Sequence, residues 1–82
     1  MTSFEVYIQL AKYFTHELKD MRRMVEIGAS WFVPREAFPR CVDRAFGALL
    51  FAQDMGAEFE AVDALWNEFK EDLEEIAGFE IR

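Results

Sequence analysis

The stretch "EFEAVDALWNEFKEDLEEIAGFEIR", residues 58–82, carries the clearest structural pattern in the chain. Its apolar residues recur at alternating steps of three and four, which is the spacing of one face of an α-helix. The members of this stripe are Phe59, Val62, Trp66, Phe69, Leu73 and Ile76, widened by Leu65. Gly78 follows as a helix stop, and Phe79 supplies the hydrophobic contact expected after it. The stretch predicts a helix over about 57–77, followed by a packed tail or a short strand.

An earlier helix is predicted over about 3–27. Thr2 and Glu5 have the spacing of a capping box, and Gly28 is a suitable C-terminal stop. Between them, apolar residues again recur at steps of three or four. They are Phe4, Ile8, Ala11, Phe14, Leu18, Met21 and Val25.

The middle helix is predicted over about 39–55, because Pro39 suits the start of a helix better than its interior and Gly56 follows its end. Pro34 biases Val33 away from helical geometry, so only a single turn is expected before Pro39. The predicted main apolar face consists of Val42, Phe46, Leu49 and Leu50, and a flank of small residues consists of Cys41, Ala45, Ala48 and Ala52. With two apolar sides, this helix is expected to be the most buried of the three.

Three amphipathic helices with short connections predict an all-α fold, an antiparallel three-helix bundle forming a single domain over 1–82. The alternative is a long helical hairpin that completes a four-helix bundle as a dimer. Hydrophobic residues make up 52% of the 82 residues, and aromatic residues make up 16%. This apolar content argues against disorder. It also exceeds what a small core can bury, so exposed apolar surface is expected.

The net charge of −7 is concentrated in the last third of the chain. Residues 1–56 sum to zero, whereas nine acids after that point face only Lys70 and Arg82. Bulk electrostatics therefore disfavour direct binding to nucleic acid or to anionic membranes. The chain shows neither a signal peptide nor a membrane span, and it has a single cysteine, so we expect a cytoplasmic protein.

Six acids are predicted to lie opposite the apolar stripe of the last helix: Glu60, Asp63, Glu68, Glu71, Glu74 and Glu75. Like charges one turn apart cost about 0.2–0.5 kcal/mol each, and acids near a helix C-terminus oppose the helix dipole. A pattern that opposes local stability favours a binding site, and a basic surface is its natural counterpart. The alternative is a solvated face that only keeps the chain in solution.

Three aromatic residues are further candidates for partner contact. Trp31 and Phe32 lie in the connector after the first helix, where they either anchor a partner or plug the end of the bundle. Phe51 falls inside the polar strip of the middle helix and would serve self-association.

Catalytic and metal-binding patterns are weak. His16 and Asp20 stand one helical turn apart, but the chain has no second histidine to complete a zinc site. Glu68, Glu71 and Glu75 on a straight helix do not wrap a cation. Cys41 lies within an apolar pattern, and no glycine-rich phosphate loop is present. We therefore expect neither an enzyme nor a bound cofactor or metal.

The leading hypothesis is a small acidic, non-catalytic module that binds another protein through the acidic helix face. In its most concrete form it inhibits a nucleic-acid-handling protein, like anti-defence proteins such as anti-CRISPR proteins, or like antitoxins. The partner would have a basic surface of the kind found on nucleic-acid-binding proteins. The alternative is a structural homodimer or small assembly subunit without an inhibitory role.

Overall fold

The computed structural model describes residues 1–81, and Arg82, the last residue of the predicted domain, lies outside this range. Three helices form the regular structure: α1 Ser3–Ile27, α2 Pro34–Asp54 and α3 Phe59–Ala77. Each helix packs against the other two, and short connections reverse the chain between them. The result is an elongated three-helix bundle of 42 × 20 × 16 Å, which confirms the predicted all-α fold class.

Helix α1 begins and ends at the predicted caps but buries a different stripe. The backbone N–H of Glu5 donates to the Thr2 hydroxyl at 3.1 Å, and the backbone N–H of Thr2 donates to the Glu5 carboxylate at 3.2 Å. Gly28 ends the helix with φ of 65°. The buried residues are Val6, Leu10, Phe14 and Met21. Phe4 and Val25, expected in the core, are 69% and 42% exposed. Apolar residues occupy several faces of α1, and packing against the neighbouring helices selects the row that contains Val6, Leu10 and Phe14.

Helix α2 begins at Pro34 and not at the predicted residue 39. Val33 is the extended N-cap residue, and Pro34 occupies the first helical position, where its missing N–H costs nothing. Pro39 removes the hydrogen bond that its N–H would donate to the Arg35 carbonyl. The helix continues through it because Phe38 is fully buried and holds the first turns against the core.

The predicted main apolar face of α2 was wrong for Phe46 and Leu50, because the predicted flank of small residues faces the core and Val42 is only partly buried against it. Phe38, Cys41 and Ala45 are 0% exposed, and Ala52 is 4% exposed. Leu49 is also buried, whereas Phe46 and Leu50 are 46% and 45% exposed. Small side chains let α2 approach α1 and α3 closely, and this close packing turns the bulkier residues outward. Helix α2 nevertheless contributes the most buried residues of the three helices, as predicted: five, against four in α1 and three in α3.

Helix α3 is continuous from Phe59 to Ala77 and starts two residues later than predicted. Val62, Phe69 and Leu73 are at most 2% exposed, as their stripe predicted, although Phe59 at its start is 67% exposed. The start is displaced because residues 55–57 form the turn after α2, in which the Ala57 N–H donates to the Ala52 carbonyl at 3.0 Å.

The C-terminal tail packs onto the end of the bundle without forming a strand within residues 1–81. Gly78 ends α3 with φ of 77°. The ring of Phe79 then lies 5.8 Å from that of Phe38 and beneath the guanidinium of Arg35, and Ile81 is 3% exposed. This tail therefore closes the end of the core.

Aromatic side chains of the bundle form two groups. In the first, the rings of Phe14 and Phe69 stack at 4.5 Å, with Trp66 within 6.0 Å of both. The second joins Phe32, Phe38 and Phe79 at the end that holds the α1–α2 connection. None of the helices in the described range has the length and hydropathy needed to cross a membrane.

Candidate protein-binding surface

Five carboxylates lie exposed along the outer side of α3. We define the acidic face by these residues: Glu60, Asp63, Glu68, Glu71 and Glu75. The opposite side of the same helix holds Val62, Phe69 and Leu73 in the core, so packing fixes which way the acids point. At 1.5 Å per residue, the 19 residues of α3 form a rod about 28 Å long.

No cation within residues 1–81 forms a salt bridge with the acidic face. The two ion pairs of this range join His16 to Asp20 at 3.2 Å and Arg44 to Glu17 at 3.3 Å, both away from α3. The ammonium of Lys70, on α3 itself, lies 3.5 Å from the carbonyl oxygen of Ile81. The charge of the acidic face is therefore not compensated by these side chains.

Glu74, also predicted to belong to the binding surface, contacts the C-terminal tail. Its carboxylate accepts a hydrogen bond from the backbone N–H of Ile81 at 2.7 Å, and the residue is half-buried. Glu74 therefore ties the tail to the end of α3, which gives it a structural role. Sequence spacing could not reveal this contact because it depends on the path of the tail.

The predicted aromatic contacts do not form one surface. Trp31 is 74% exposed at the tip of the α1–α2 connection, at the bundle end where α3 finishes beyond Glu75. Phe32, beside it, is half-buried and packs against Phe38 at 6.3 Å. Phe51 is 66% exposed but lies towards the other end, in a groove between α1 and α2. Of these three residues, only Trp31 is exposed at the end of the bundle where α3 finishes.

A second exposed surface was predicted only at Phe51, and its other residues were missed by the sequence analysis. Phe46, Leu50 and Phe51 on α2, and Met55 at its C-cap, are each between 45% and 66% exposed. Phe51 and Met55 border the groove against α1, which has a volume of about 270 Å³ and an almost entirely apolar lining. The position of Phe51 within the polar strip was the available signal, but Phe46 and Leu50 had been assigned to the core.

Glu17 links α1 to α2 through a polar cluster. Its carboxylate accepts hydrogen bonds from the Cys41 thiol at 3.4 Å and from the Arg44 guanidinium at 3.3 Å. Burial, reinforced by the negative charge of Glu17, raises the pKa of Cys41 to about 12. Burial and Glu17 also raise the pKa of Tyr13. Cys41 is thus held as a neutral thiol, the opposite of the thiolate that nucleophilic catalysis requires.

The raised pKa of Cys41 predicts a loss of stability at alkaline pH. The folded chain keeps the thiol proton up to about pH 12, whereas the unfolded thiol loses it near pH 9.0. Stabilisation is full below pH 9.0 and declines as pH rises towards 12, because the unfolded state then binds fewer protons. Urea unfolding between pH 7.5 and 11 should show a steeper decline for the wild type than for Cys41→Ala. Parallel declines would contradict the assignment.

The remaining polar groups of residues 1–81 form no metal-binding cluster. No three histidine, cysteine, aspartate or glutamate side chains in this range are placed to hold a metal ion. His16 is exposed and contacts only Asp20 among charged partners. The acidic face is a row along one helix, so its carboxylates point outward and do not surround a common point.

The chain matches no protein-family model, and neither a curated protein nor a solved structure is significantly similar to it.

Proposed function

We propose that this chain is a non-catalytic protein-binding module that inhibits a nucleic-acid-handling protein by covering its basic surface with the acidic face. The class is that of anti-defence proteins, including anti-CRISPR proteins, and of antitoxins. One observation carries the proposal: five exposed carboxylates follow a single unbroken helix, and no cation of residues 1–81 is paired with them. A neutral thiol at Cys41, the single cysteine, is compatible with a cytoplasmic site of action.

The placement of these charges costs stability within the chain. Glu71 and Glu75 stand one turn apart, as do Glu68 and Glu71, and each like-charge pair destabilises a helix by about 0.2–0.5 kcal/mol. The last turn of α3 contains no basic residue that would offset the helix dipole. A basic partner would supply the missing counter-charge and convert this repulsion into attraction.

The acidic face suits a nucleic-acid groove by sign and length. From Glu60 to Glu75 it extends about 22 Å, roughly two-thirds of one turn of duplex DNA. Its successive carboxylates are about 4.5–7.5 Å apart along the axis, wider than the roughly 3.4 Å between phosphates of one strand. The face therefore fits a groove lined by flexible lysine and arginine side chains better than a site that reads phosphate register.

Trp31 supplies an apolar anchor at one end of this surface. It is 74% exposed, and tryptophan is enriched among residues that dominate binding energy at protein interfaces. Trp31 lies in the connection at the end of the bundle where α3 finishes, so a partner that covers the acidic face and this end would contact both. Charge would then steer the encounter, and Trp31 would slow dissociation.

Capture from cells that encode the chain tests the proposal. Immobilised wild type is compared with a variant carrying Glu68→Lys, Glu71→Lys and Glu75→Lys. The matched control carries Asp20→Lys, Glu26→Lys and Glu36→Lys, three exposed acids outside α3 that change the net charge equally. We expect the wild type and the control to retain a basic protein. The α3 variant should bind that protein at least about tenfold more weakly.

Competition with double-stranded DNA completes the test. DNA should release the captured protein from the wild type, because both ligands occupy the same basic surface. Equal retention by the α3 variant, or capture that DNA does not affect, would contradict the proposal. Circular dichroism of all three chains checks that the substitutions leave the helices intact.

A further inference from the structure

The outer side of α2 is an apolar surface with charged ends. Phe46, Leu50, Phe51 and Met55 occupy its centre and C-terminal part, and each is at least 45% exposed. Arg40 and Arg44 lie towards its N-terminal end, and Asp54 lies at its C-terminal end, all exposed. Asp43, also exposed, lies between these two arginines, so the N-terminal end carries mixed charge with a net positive balance and the C-terminal end is acidic.

Gly47 stands at the centre of this surface and has no packing role within the chain. A Cβ atom built at Gly47 would meet nothing within 4 Å. Glycine is one of the poorest residues for a helix interior, and its usual use there is close approach by another backbone. Because α1 and α3 do not make that approach, the position points to a helix from outside the chain.

We propose that this outer side of α2 is a homodimer interface, in which α2 of a second copy packs antiparallel across a two-fold axis at Gly47. Residues equally distant from Gly47 then face each other. Arg40, seven residues before Gly47, faces Asp54 of the second copy, seven residues after it. The two-fold axis repeats the pair, so two opposite-charge contacts flank the apolar centre.

The apolar centre is self-complementary in the same arrangement. Phe51 of the second copy lies over the aliphatic stems of Arg40 and Arg44, and Leu50 of the second copy lies beside Phe46. The exposed apolar side chains offer roughly 500 Å² per copy. A stable pair usually buries about 800 Å² per copy, so the proposed interface needs the charged residues at both ends to supply the remainder.

The two-fold axis also determines where the acidic faces lie. Helices α1 and α3 flank α2 on opposite sides, since Phe51 borders the α1 groove and Phe46 contacts Trp66 of α3 at 5.6 Å. In an antiparallel pair related by this axis, both copies of α3 lie on the same side of the dimer. The dimer thus presents two acidic faces in one direction. Dimerisation itself does not depend on the proposed function.

Analytical ultracentrifugation of the full chain tests the interface. We expect a concentration-dependent dimer for the wild type. Gly47→Leu should be monomeric, because its side chain has room in the monomer but blocks the second helix. Phe51→Glu should weaken association at least about tenfold, because it places a charge in the apolar centre. Circular dichroism should show that both variants retain the helical content of the wild type.

Exchange of the charged pair tests the antiparallel register. Arg40→Asp alone and Asp54→Arg alone each place like charges opposite one another twice, so each variant should dimerise at least about tenfold more weakly than the wild type. A mixture of the two variants places opposite charges at both contacts and should recover the heterodimer. Failure of the mixture to associate more strongly than either variant would overturn this register.

Two further outcomes would overturn the proposal. One is a wild type that stays monomeric at about 1 mM, and the other is a dimer unaffected by both Gly47→Leu and Phe51→Glu. The variant with Glu68→Lys, Glu71→Lys and Glu75→Lys should dimerise like the wild type. Loss of partner capture and loss of dimerisation are therefore separable results.

Discussion

Replacing Phe14 with alanine should lower the free energy of unfolding by about 3–5 kcal/mol. Phe14 is 2% exposed, and its ring lies 4.5 Å from Phe69 and 6.0 Å from Trp66, so truncation leaves a cavity between α1 and α3. A single apolar core of this size supplies only about 3–5 kcal/mol of net stability. The Phe14→Ala variant should therefore be largely unfolded at 25 °C, as measured by circular dichroism during urea titration.

Phe4→Ala is the matched control for this prediction. It makes the same chemical change in the same helix, but Phe4 is 69% exposed, so a loss below about 1 kcal/mol is expected. The periodicity of α1 placed both residues on one buried stripe, whereas the bundle buries only Phe14. Comparable losses at the two positions would contradict the packing of α1 described above.

Replacing Leu49 with alanine is expected to cost about 2–4 kcal/mol. Leu49 is 5% exposed and lies on the core side of α2 beside the small residues Ala45 and Ala52. Because the neighbouring side chains are small, little material is available to fill the space left by the truncation. Urea unfolding of the purified variant measures the loss.

Leu50→Ala, one residue further along, is expected to cost less than about 1 kcal/mol, since Leu50 is 45% exposed. The comparison should be made at low protein concentration, so that self-association through α2 does not contribute to stability. A larger loss at Leu50 than at Leu49 would mean that α2 is rotated, with its bulkier apolar side towards the core.

Helix ends were largely predictable because caps act locally. The capping box of Thr2 and Glu5 lies within four consecutive residues. Gly28 and Gly78, which end α1 and α3, both have positive φ. The start of α2 was not predictable in this way. Burial of Phe38 outweighs the hydrogen bond lost at Pro39, and this balance depends on tertiary packing.

Helix faces were predictable only where one apolar stripe dominates. Helix α3 has a single stripe, so its exposed acids followed directly from the spacing of Val62, Phe69 and Leu73. Helix α2 offers a bulky apolar side and a small apolar side, and local propensity does not choose between them. The helices pack more closely when Ala45 and its small neighbours face the core. This orientation leaves Phe46 and Leu50 exposed.

The candidate binding surface was likewise predictable only where it depends on helical spacing and not on tertiary packing. The five residues of the acidic face could be assigned from helical spacing alone, whereas Glu74 could not, because its partner is the backbone of Ile81 in the tail. Trp31 and Phe32 are adjacent in sequence, and only the fold separates them into an exposed side chain and a half-buried one. The position of Phe51 opposite α1 likewise required the assembled bundle.

Backbone amide NMR of the ¹⁵N-labelled chain, titrated with the protein captured by the wild type, tests the central claim most directly. Binding through the acidic face should shift amide signals between Glu60 and Glu75, together with that of Trp31, and leave those around Phe51 unchanged. Shifts confined to α1 and α2, with α3 unaffected, would contradict a docking role for the acidic face.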